Sequence, residues 1–401
     1  MRGFVRRTTV EDSLAWLDAQ RRTLDSEVVP LSAAAGRVLA RDIDSKYNVP
    51  AFQRAMMDGC AVVASDTQGA SAYNPLPLKL RGEVMPGRQP DVAVTSGAAV
   101  RIMTGAPMPA GADAVLPAEK IDWQDDVVYC HDEVPPGKNV GRVGEDIAQQ
   151  ATVLRAGRRL RPQDIGVLSS IGVGELDVVR KPRVRIVVTG NELLPPGSAP
   201  EMFRIVDANS PMLAALIARD GGLPINPGIV PDDEDAVMAA MQDDADLVLV
   251  SGGSSVGKED YAPALLARHG ELAIHGIAMR PSSPTGLGKL DGRLVFLLPG
   301  NPVSCLCAYD FFAGRAIRAC GGRTADWPYR PRLLPLTRKL VSTVGRVDYA
   351  RVKCHGDAVE PLAISGASML SSTTRADGFV IVPQDSEGYP AESQVLVHLY
   401  D

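Results

Sequence analysis

The alternation of apolar and polar residues changes character along the chain, and each stretch predicts a different kind of element. Residues 9 to 22 predict a helix, because Thr9 can cap its first turn and Leu14 and Leu17 fall on one apolar face. From about residue 46 to 146, short alternating runs are separated by turn-forming stretches such as VMPGRQP and APMPAGAD. Apolar runs that recur between such turns are typical of a β-rich module.

A different pattern begins near residue 183, where VRIVV at 184–188 is a continuous apolar run. LVLV at 247–250 and LVFLL at 294–298 repeat it, as expected for strands buried in a parallel sheet. Between these strands, MLAALIARD, with Ser210 as its predicted cap, and DEDAVMAAMQ have the spacing of amphipathic helices. Strands that alternate with helices predict a doubly wound α/β domain.

The chain returns to short strands after residue 326. YARVKC, GFVIVP and QVLVHLY are apolar runs separated by Gly, Asp and Ser, and three such strands within ~75 residues favour a small β-barrel or sandwich. The predicted fold class is therefore a multidomain α/β protein with additional β-rich parts.

Composition and charge exclude several classes of protein. The chain has 45% hydrophobic residues, 22% charged residues and a net charge of -6, with an isoelectric point near 5.5, whereas a general nucleic-acid surface needs a basic stripe. The amino terminus lacks the apolar stretch of a signal peptide, and no apolar run approaches the roughly 20 residues that span a bilayer. We therefore expect a cytoplasmic protein with no nucleic-acid or membrane partner.

The cysteines and histidines do not suggest a metal centre. The six cysteines are too unevenly spaced for a disulfide framework, and the five histidines lack metal-ligand spacing. Cys305 and Cys307 lie in an apolar run, which favours buried reduced thiols over a metal or redox site. This pattern disfavours a zinc enzyme.

Polar and glycine-rich loops follow the predicted parallel strands. In a doubly wound sheet the ligand lies at the carboxyl ends of the strands, so we expect these loops to meet at one crevice. The candidate ligand contacts in them are Thr189, Gly190, Ser251, Gly252, Gly253, Ser254, Ser255, Gly257, Pro299, Gly300 and Asn301.

The loop SGGSSVGKED, residues 251–260, has the glycine and lysine spacing of a Walker A loop, but Glu259 stands where that motif needs a hydroxyl. Its glycines let backbone amides approach an anion and its serines add donors, although such a loop is a plain turn about as often. Carboxylates beside a phosphate repel it unless a cation lies between them, so we expect Mg²⁺ held by Asp260 and Glu192. The alternative for either acid is a helix cap or a solvated carboxylate.

Six motifs, taken in chain order, resemble the successive signatures of the MoeA-type molybdopterin molybdenumtransferase family. They are AMMDGCAV, RIMTGAPMPAGADAV, GEDI, TGNEL, SGGSSVGKEDY and LPGNPVS, and they run over nearly the whole chain. The resemblance implies a discontinuous elongated linker domain at 1–45 and 147–180 and an inserted β-rich domain at 46–146. It further implies an α/β molybdopterin-binding domain at 181–325 and a C-terminal β-barrel domain at 326–401.

The resemblance also implies a reaction. Molybdate, as a substrate, would be inserted into adenylylated molybdopterin with Mg²⁺-dependent loss of AMP, which gives molybdenum cofactor. The family resemblance implies a homodimer whose cleft forms between the α/β domain of one subunit and the inserted domain of the other. Further partners would be the upstream adenylyltransferase and the recipient molybdoenzymes.

The polar positions that function in the family are carried over motif by motif. The candidate catalytic residues are Asp58, Thr104, Asp146, Glu192 and Asp232, and the candidate metal ligands are Asp260 and Glu192. In PDDED, Asp233 is nearly as good a match as Asp232. The alternative for Asp58 and Thr104 is turn chemistry beside glycine. The candidate oxyanion contacts are Arg280, Ser304, Arg351 and Ser368.

Two departures from the family pattern keep other functions open. Ser283 in RPSSP stands where the family usually has a lysine, a compact cation suited to molybdate, and Asn191 replaces the usual Asp of TGDEL. Arg280 and Lys289 are candidate replacement cations. One alternative is therefore a paralogue that binds molybdopterin without inserting metal and acts as a carrier, regulator or scaffold. A P-loop NTPase is disfavoured, because Glu259 offers no hydroxyl and no second Mg²⁺ motif follows.

Overall fold

The computed structural model describes residues 7–252, 261–363 and 366–400. The chain divides into two compact units, one formed by Val28–Asp177 and the other by Met1–Glu27 together with Val178–Asp401. Each unit has apolar cores of its own.

The first helix, α1 at Val10–Ala19, begins where the sequence predicts. The Thr9 side chain accepts the backbone N–H of Asp12 at 3.0 Å, so the predicted cap is formed. Val10 and Leu17 are buried, which confirms the apolar face of the helix.

The unit Val28–Asp177 consists mainly of short strands, and the first and last of them extend two residues beyond its ends. Its elements are β1 at Ser26–Pro30, β2 at Ile43–Asp44, β3 at Arg54–Ala55, β4 at Gly59–Val62, β5 at Leu76–Val84, β6 at Ala98–Ile102, β7 at Ala114–Pro117, β8 at Ile121–Gln124, β9 at Val127–Cys130, β10 at Val140–Gly141, β11 at Thr152–Leu154, α2 at Pro162–Ser170 and β12 at Glu175–Val179. Short 3₁₀ turns lie at Leu31–Ala33, Ala64–Thr67 and Ala118–Lys120.

Six of these strands form one sheet in the order β7-β4-β6-β5-β9-β8. Neighbours are antiparallel except β5 and β6, which run parallel. The sheet buries side chains on both faces, because Cys60 and Val62 pack in one core whereas Ala61, between them, packs in another. The short strands predicted from the alternating pattern are therefore present.

The other unit contains the remaining elements. They are β13 at Arg183–Thr189, β14 at Leu193–Leu194, β15 at Ile205–Val206, α3 at Asn209–Arg219, β16 at Leu223–Ile225, β17 at Ile229–Val230, α4 at Glu234–Gln242, β18 at Leu247–Ser251, α5 at Tyr261–His269, β19 at Glu271–His275, β20 at Met279–Arg280, β21 at Gly286–Leu290, β22 at Arg293–Leu298, α6 at Pro302–Ala308, a π-helical turn at Tyr309–Ala313, α7 at Gly314–Cys320, β23 at Arg330–Pro335, β24 at Leu340–Val341, β25 at Val347–His355, β26 at Ala358–Ala363, α8 at Ser371–Arg375, β27 at Gly378–Val382, β28 at Gly388–Tyr389 and β29 at Gln394–Leu399.

A seven-stranded sheet in this unit has the order β16-β13-β18-β22-β21-β19, with β17 also paired to β13. The apolar runs identified in the sequence are β13, β18 and β22, which lie side by side and run parallel. The sheet is not wholly parallel, because β21 and β19 add an antiparallel edge. The sequence pattern does not predict β21, because glycines interrupt its apolar residues. They are needed there, since a Cβ on Gly288 would lie 2.1 Å from the Glu271 carbonyl oxygen.

Helices cover both faces of this sheet. On one face, Met241 of α4 and Leu266 of α5 share a buried core with Val187, Val250 and Leu297 of the central strands. On the other, α3 contacts β13, α6 contacts β22, and α3 also contacts α6 and α7. This is the doubly wound α/β arrangement that the alternating pattern predicts.

The last part of the chain forms a second sheet in the order β20-β25-β27-β29-β23, with β26 also paired to β25. The three strands predicted after residue 326 are β25, β27 and β29. A bridge between Leu336, just after β23, and Val359 of β26 links the two ends of this sheet. The strand β20 comes from the α/β part of the sequence, yet it pairs in parallel with the start of β25.

All six cysteines are free, and Cys305 and Cys307 are fully buried on α6. Burial raises the pKa of the Cys305 thiol to about 12, so it is protonated and unreactive near neutral pH. The predicted buried thiols are confirmed. Among helices of the described residues, none is long and apolar enough to span a membrane.

Candidate active site

A cavity of about 530 Å³ opens at the carboxyl ends of β13, β18 and β22. Doubly wound sheets bind their ligands at this edge. The residues predicted from sequence that line it are Thr189, Gly190, Glu192, Asp232, Ser251, Gly252, Pro299, Gly300 and Asn301. The loops that follow the three buried strands therefore meet at one place.

Close approach of the loop backbones shapes this cavity. Gly252 has a φ of 95°, a left-handed conformation that favours glycine, and a Cβ there would lie 2.3 Å from the Thr189 carbonyl oxygen. A Cβ on Gly300 would lie 3.6 Å from the Gly252 Cα. The backbones of the three loops are therefore in direct contact. There is no room between them for a side chain at residue 252.

The two neighbouring aspartates of PDDED have different surroundings. The Asp233 side chain caps α4, because its Oδ1 accepts the backbone N–H of Ala236 at 3.0 Å. Asp232 lines the cavity, and its Oδ2 accepts the backbone N–H of Asn191 at 2.9 Å. Of the two candidates, it is therefore Asp232 that faces the cavity.

Glu192, like Asp232, lines the cavity. Its carboxylate folds over Gly190, since a Cβ on that glycine would lie 2.8 Å from the Glu192 Oε2. Carboxylate oxygens are the ligands that Mg²⁺ prefers, and Mg²⁺ is commonly held by one or two of them together with substrate phosphates. The donor chemistry of Glu192 and Asp232 therefore fits a magnesium ion.

Sequence reasoning did not find two polar residues at the base of the cavity, Asp207 and Asn209, both of which are buried and line it. The Asp207 Oδ1 accepts the backbone N–H groups of Asn209 at 2.8 Å and Ser210 at 3.0 Å. Helix α3 begins at Asn209, directly after Ala208, so Ser210 lies inside the helix and the predicted cap is wrong. The Asp207 carboxylate, one residue before Ala208, accepts the first two N–H groups of the helix. The polar run VDAN directly after the apolar pair of β15 is the signal that would have revealed both residues.

Gly253, Ser254, Ser255, Gly257 and Asp260 lie outside the described residues. Within residues 7–252, 261–363 and 366–400, no group of three or more His, Cys, Asp or Glu side chains is arranged to hold a metal ion. Asp260 remains a candidate metal ligand on sequence grounds.

The candidate oxyanion contacts do not line the cavity. The Nε of Arg280 donates to Oδ1 of the fully buried Asp348 at 2.9 Å, so this guanidinium is bound within the protein. Arg351 is also fully buried. Lys289, a candidate replacement cation, lies over the ring of Trp16 with its Nζ 5.9 Å from the ring centroid.

Ser304 and Ser368 lie near the start of α6, next to the cavity. The Ser304 carbonyl accepts a hydrogen bond from the Ser282 hydroxyl at 2.5 Å, which ties the RPSSP turn to α6. The backbone N–H of Val303 donates to the carbonyl of Ala367, the neighbour of Ser368, at 3.0 Å. Three segments that carry candidate oxyanion contacts therefore meet at this helix.

In the unit Val28–Asp177, Asp58 and Thr104 form a pair. Both the backbone N–H and the hydroxyl of Thr104 donate to the Asp58 Oδ1 at 2.7 Å. These two bonds, the backbone one first, lower the pKa of the Asp58 carboxyl. Asp146 is an exposed residue of the turn after β10, where its backbone N–H donates to the Val49 carbonyl at 3.1 Å.

Three family models match the chain. They are the MoeA N-terminal region (domains I and II) over residues 8–172, the probable molybdopterin-binding domain over residues 185–319, and the MoeA C-terminal region (domain IV) over residues 334–400.

Several known proteins resemble the chain over nearly its full length. Molybdopterin molybdenumtransferase 2 of Mycobacterium tuberculosis is 34% identical over 382 residues, which cover 92% of this chain and 94% of that protein. A molybdopterin molybdenumtransferase of Haemophilus influenzae is 32% identical over 386 residues, covering 94% of both chains. The crystal structure of a molybdopterin biosynthesis MoeA protein from Pyrococcus horikosii superposes with a TM-score of 0.86 at 32% identity, over 99% of this chain and 100% of that one.

Proposed function

The chain belongs to the MoeA family, and from this premise we propose that it inserts molybdate into adenylylated molybdopterin with Mg²⁺-dependent release of AMP. It is a molybdopterin molybdenumtransferase of molybdenum cofactor biosynthesis. The release of AMP, the requirement for Mg²⁺ and the roles of individual residues are the proposed parts.

The observation that carries this proposal is the meeting of glycine-rich loops and carboxylates at one cavity. The backbone at Gly252 and Gly300 can lie close to a phosphate or pterin, because neither residue has a side chain. Glu192 and Asp232 supply negative charge to the same cavity. A site with both features suits a ligand that carries phosphate groups and a divalent cation.

The residues of the cavity have distinct parts in the proposed reaction. Mg²⁺, when bound, would neutralise the charge that develops on the phosphates as AMP leaves. Asp232 is positioned by the Asn191 backbone N–H and, with Glu192, would hold the cation. Gly252 and Ser251 would line the phosphate-binding side, and the serine segments at the start of α6 would hold molybdate. Asp260 would complete the metal site.

We propose a homodimer in which Asp58 and Thr104 act on the cavity of the other subunit, as the family resemblance implies. Exposed apolar side chains that lie close to Asp58 in the sequence support burial of this surface by the partner subunit: Phe52 is 46% exposed, Met56 48% and Met57 37%. Mixing an Asp58→Ala chain with an Asp232→Asn chain tests this arrangement. Two inactive variants that regain activity in a mixed dimer would support a shared site, whereas a mixture that stays inactive would contradict it.

We also propose that the domain boundaries and the closed C-terminal barrel follow the family pattern. The bridge between Leu336 and Val359 supports closure of the last sheet. A cytoplasmic location belongs to the same proposal, together with the upstream adenylyltransferase and the recipient molybdoenzymes as partners.

A carrier without insertion activity is the second candidate, and Ser283 favours it. This residue replaces the lysine usual in the family, and its hydroxyl is buried without a hydrogen-bond partner among the described residues. The two functions differ in one assay, which mixes the purified protein with adenylylated molybdopterin, Mg²⁺ and molybdate and follows AMP. Release that depends on molybdate identifies the enzyme. Tight binding of the adenylate without such release identifies the carrier.

A further inference from the structure

The side-chain amide of Asn209 has a fixed orientation at the base of the cavity. Its Nδ2 donates to the Ser251 hydroxyl at 2.9 Å and to the Gly300 carbonyl at 2.7 Å. A carbonyl oxygen can only accept, so the nitrogen and not the oxygen must face Gly300. Both hydrogens of Nδ2 are used, and the bonds tie α3 to the ends of β18 and β22.

The other end of this amide has no partner. Asn209 is 8% exposed, and its Oδ1 is buried with no hydrogen-bond donor among the described residues. A buried acceptor without a donor is unfavourable and uncommon in folded proteins. Because Asn209 lines the cavity, a bound molecule is the natural source of the missing donor.

The surroundings of Asn209 define what kind of group could bind to it. The first backbone N–H groups of α3 already donate to Asp207, so the helix end offers them to no anion. Asp207, Glu192 and Asp232 are further acceptors on the same cavity. The Asn209 Oδ1 is itself an acceptor, so a phosphate or molybdate oxygen would find no partner in it, whereas a hydroxyl or an N–H group would.

We propose that Asn209 determines ligand specificity in this cavity: its Oδ1 accepts a hydrogen bond from a neutral donor of the bound molecule, an N–H of a pterin or a hydroxyl of a ribose. The inference rests on the proposed function, because both groups belong to adenylylated molybdopterin. The same residue positions the loop ends at Ser251 and Gly300 through its Nδ2. It thereby couples recognition of the ligand to the shape of the phosphate-binding side.

Binding of three simple probes tests this role. Calorimetric affinities of the full-length protein for AMP, pterin-6-carboxylate and inorganic pyrophosphate would be compared with those of Asn209→Ala and Asn209→Leu. Loss of one neutral hydrogen bond is expected to weaken the probe that supplies the donor by about tenfold. Pyrophosphate as its magnesium complex has no such donor, so it should lose only the support that Nδ2 gives to the loops and should weaken less than the probe that supplies the donor. The probe that weakens identifies the nucleotide or the pterin as the source.

A matched control is Asn74→Ala, which removes a surface amide whose Nδ2 also donates to a backbone carbonyl, that of Gly69 at 3.1 Å. It should change none of the three affinities. Equal weakening of all three probes by the Asn209 variants would mean that Asn209 only supports the loops, and unchanged affinities would mean that it contacts no ligand. Either result overturns the inference. Thermal unfolding confirms that each variant is folded, and Asn209→Leu keeps the branched outline of the side chain if Asn209→Ala does not fold.

The proposed function can fail separately. If the wild-type protein releases AMP from adenylylated molybdopterin but the Asn209 variants bind every probe as it does, only the inference about Asn209 is wrong. If the wild-type protein binds neither the adenylate nor any probe, the proposed function is wrong and the inference falls with it.

Discussion

Asp232 and Asp233 are adjacent in the sequence, and the structure predicts opposite consequences for their substitution. The Asp233 carboxylate caps α4 through the Ala236 N–H, at the exposed surface. The Asp232 carboxylate faces the cavity and holds the Asn191 N–H. Asp233→Ala should therefore reduce stability and spare activity, whereas Asp232→Asn should spare stability and reduce activity.

The expected sizes follow from these contacts. Loss of an aspartate cap costs about 1 kcal/mol of unfolding free energy, which lowers the melting temperature by about 2–4 °C in a domain of 150–250 residues. Asp232→Asn keeps the shape of the side chain and an oxygen that can accept the Asn191 N–H, so its stability should change by less than about 0.5 kcal/mol. It removes the negative charge at the proposed cation site, and the rate of AMP release should fall by about 100-fold.

Both variants can be measured in parallel by thermal unfolding and by AMP release from adenylylated molybdopterin at saturating Mg²⁺ and molybdate. Wild-type protein is the reference in each assay. An Asp233→Ala protein that loses activity beside a fully active Asp232→Asn protein would reverse the assignment and refute the account of this wall of the cavity.

Gly252, Thr104 and Asp260 give one further prediction each. Gly252→Ala should lower the melting temperature and AMP release together, because its Cβ would lie 2.3 Å from the Thr189 carbonyl oxygen; unchanged turnover would show that the loop can move aside. Thr104→Val removes the hydroxyl and keeps the backbone N–H, so the Asp58 pKa, observed by carboxyl ¹³C NMR titration, should rise part of the way to its ordinary value. The stabilisation linked to this low pKa is present above the unfolded-state value and is lost as the pH falls through the folded-state value, and a pKa unchanged in the variant would rule out a role for the hydroxyl. Asp260→Ala should abolish Mg²⁺-dependent turnover with little change in the melting temperature, and normal turnover would remove Asp260 from the metal site.

The elements of the α/β part could be predicted because their patterns are local. Strands β13, β18 and β22 are buried on both faces, so their apolar runs are uninterrupted and easily recognised. The cap at Thr9 and the helix after Asp233 depend on residues within one turn of each other. Because the carboxyl ends of neighbouring parallel strands lie at one edge, their loops could also be expected to meet.

Contacts between distant segments could not be predicted in this way. The bond between Arg280 and the buried Asp348 joins residues 68 positions apart, and no local pattern shows that the guanidinium is already bound. The strand β20 is only two residues long and pairs with a sheet formed much later in the chain. Asn209 bonds to Gly300 across 91 positions, so its place at the base of the cavity depends on tertiary packing.

The central claim is that this protein transfers molybdenum and does not merely bind molybdopterin. The most direct measurement is a single-turnover reaction with adenylylated molybdopterin, Mg²⁺ and molybdate, in which released AMP and molybdenum bound in the pterin product are quantified together. The account predicts one molybdenum atom in the product for each AMP released, with neither formed when molybdate is omitted. Tight binding of the adenylate with no molybdenum in the product would contradict it.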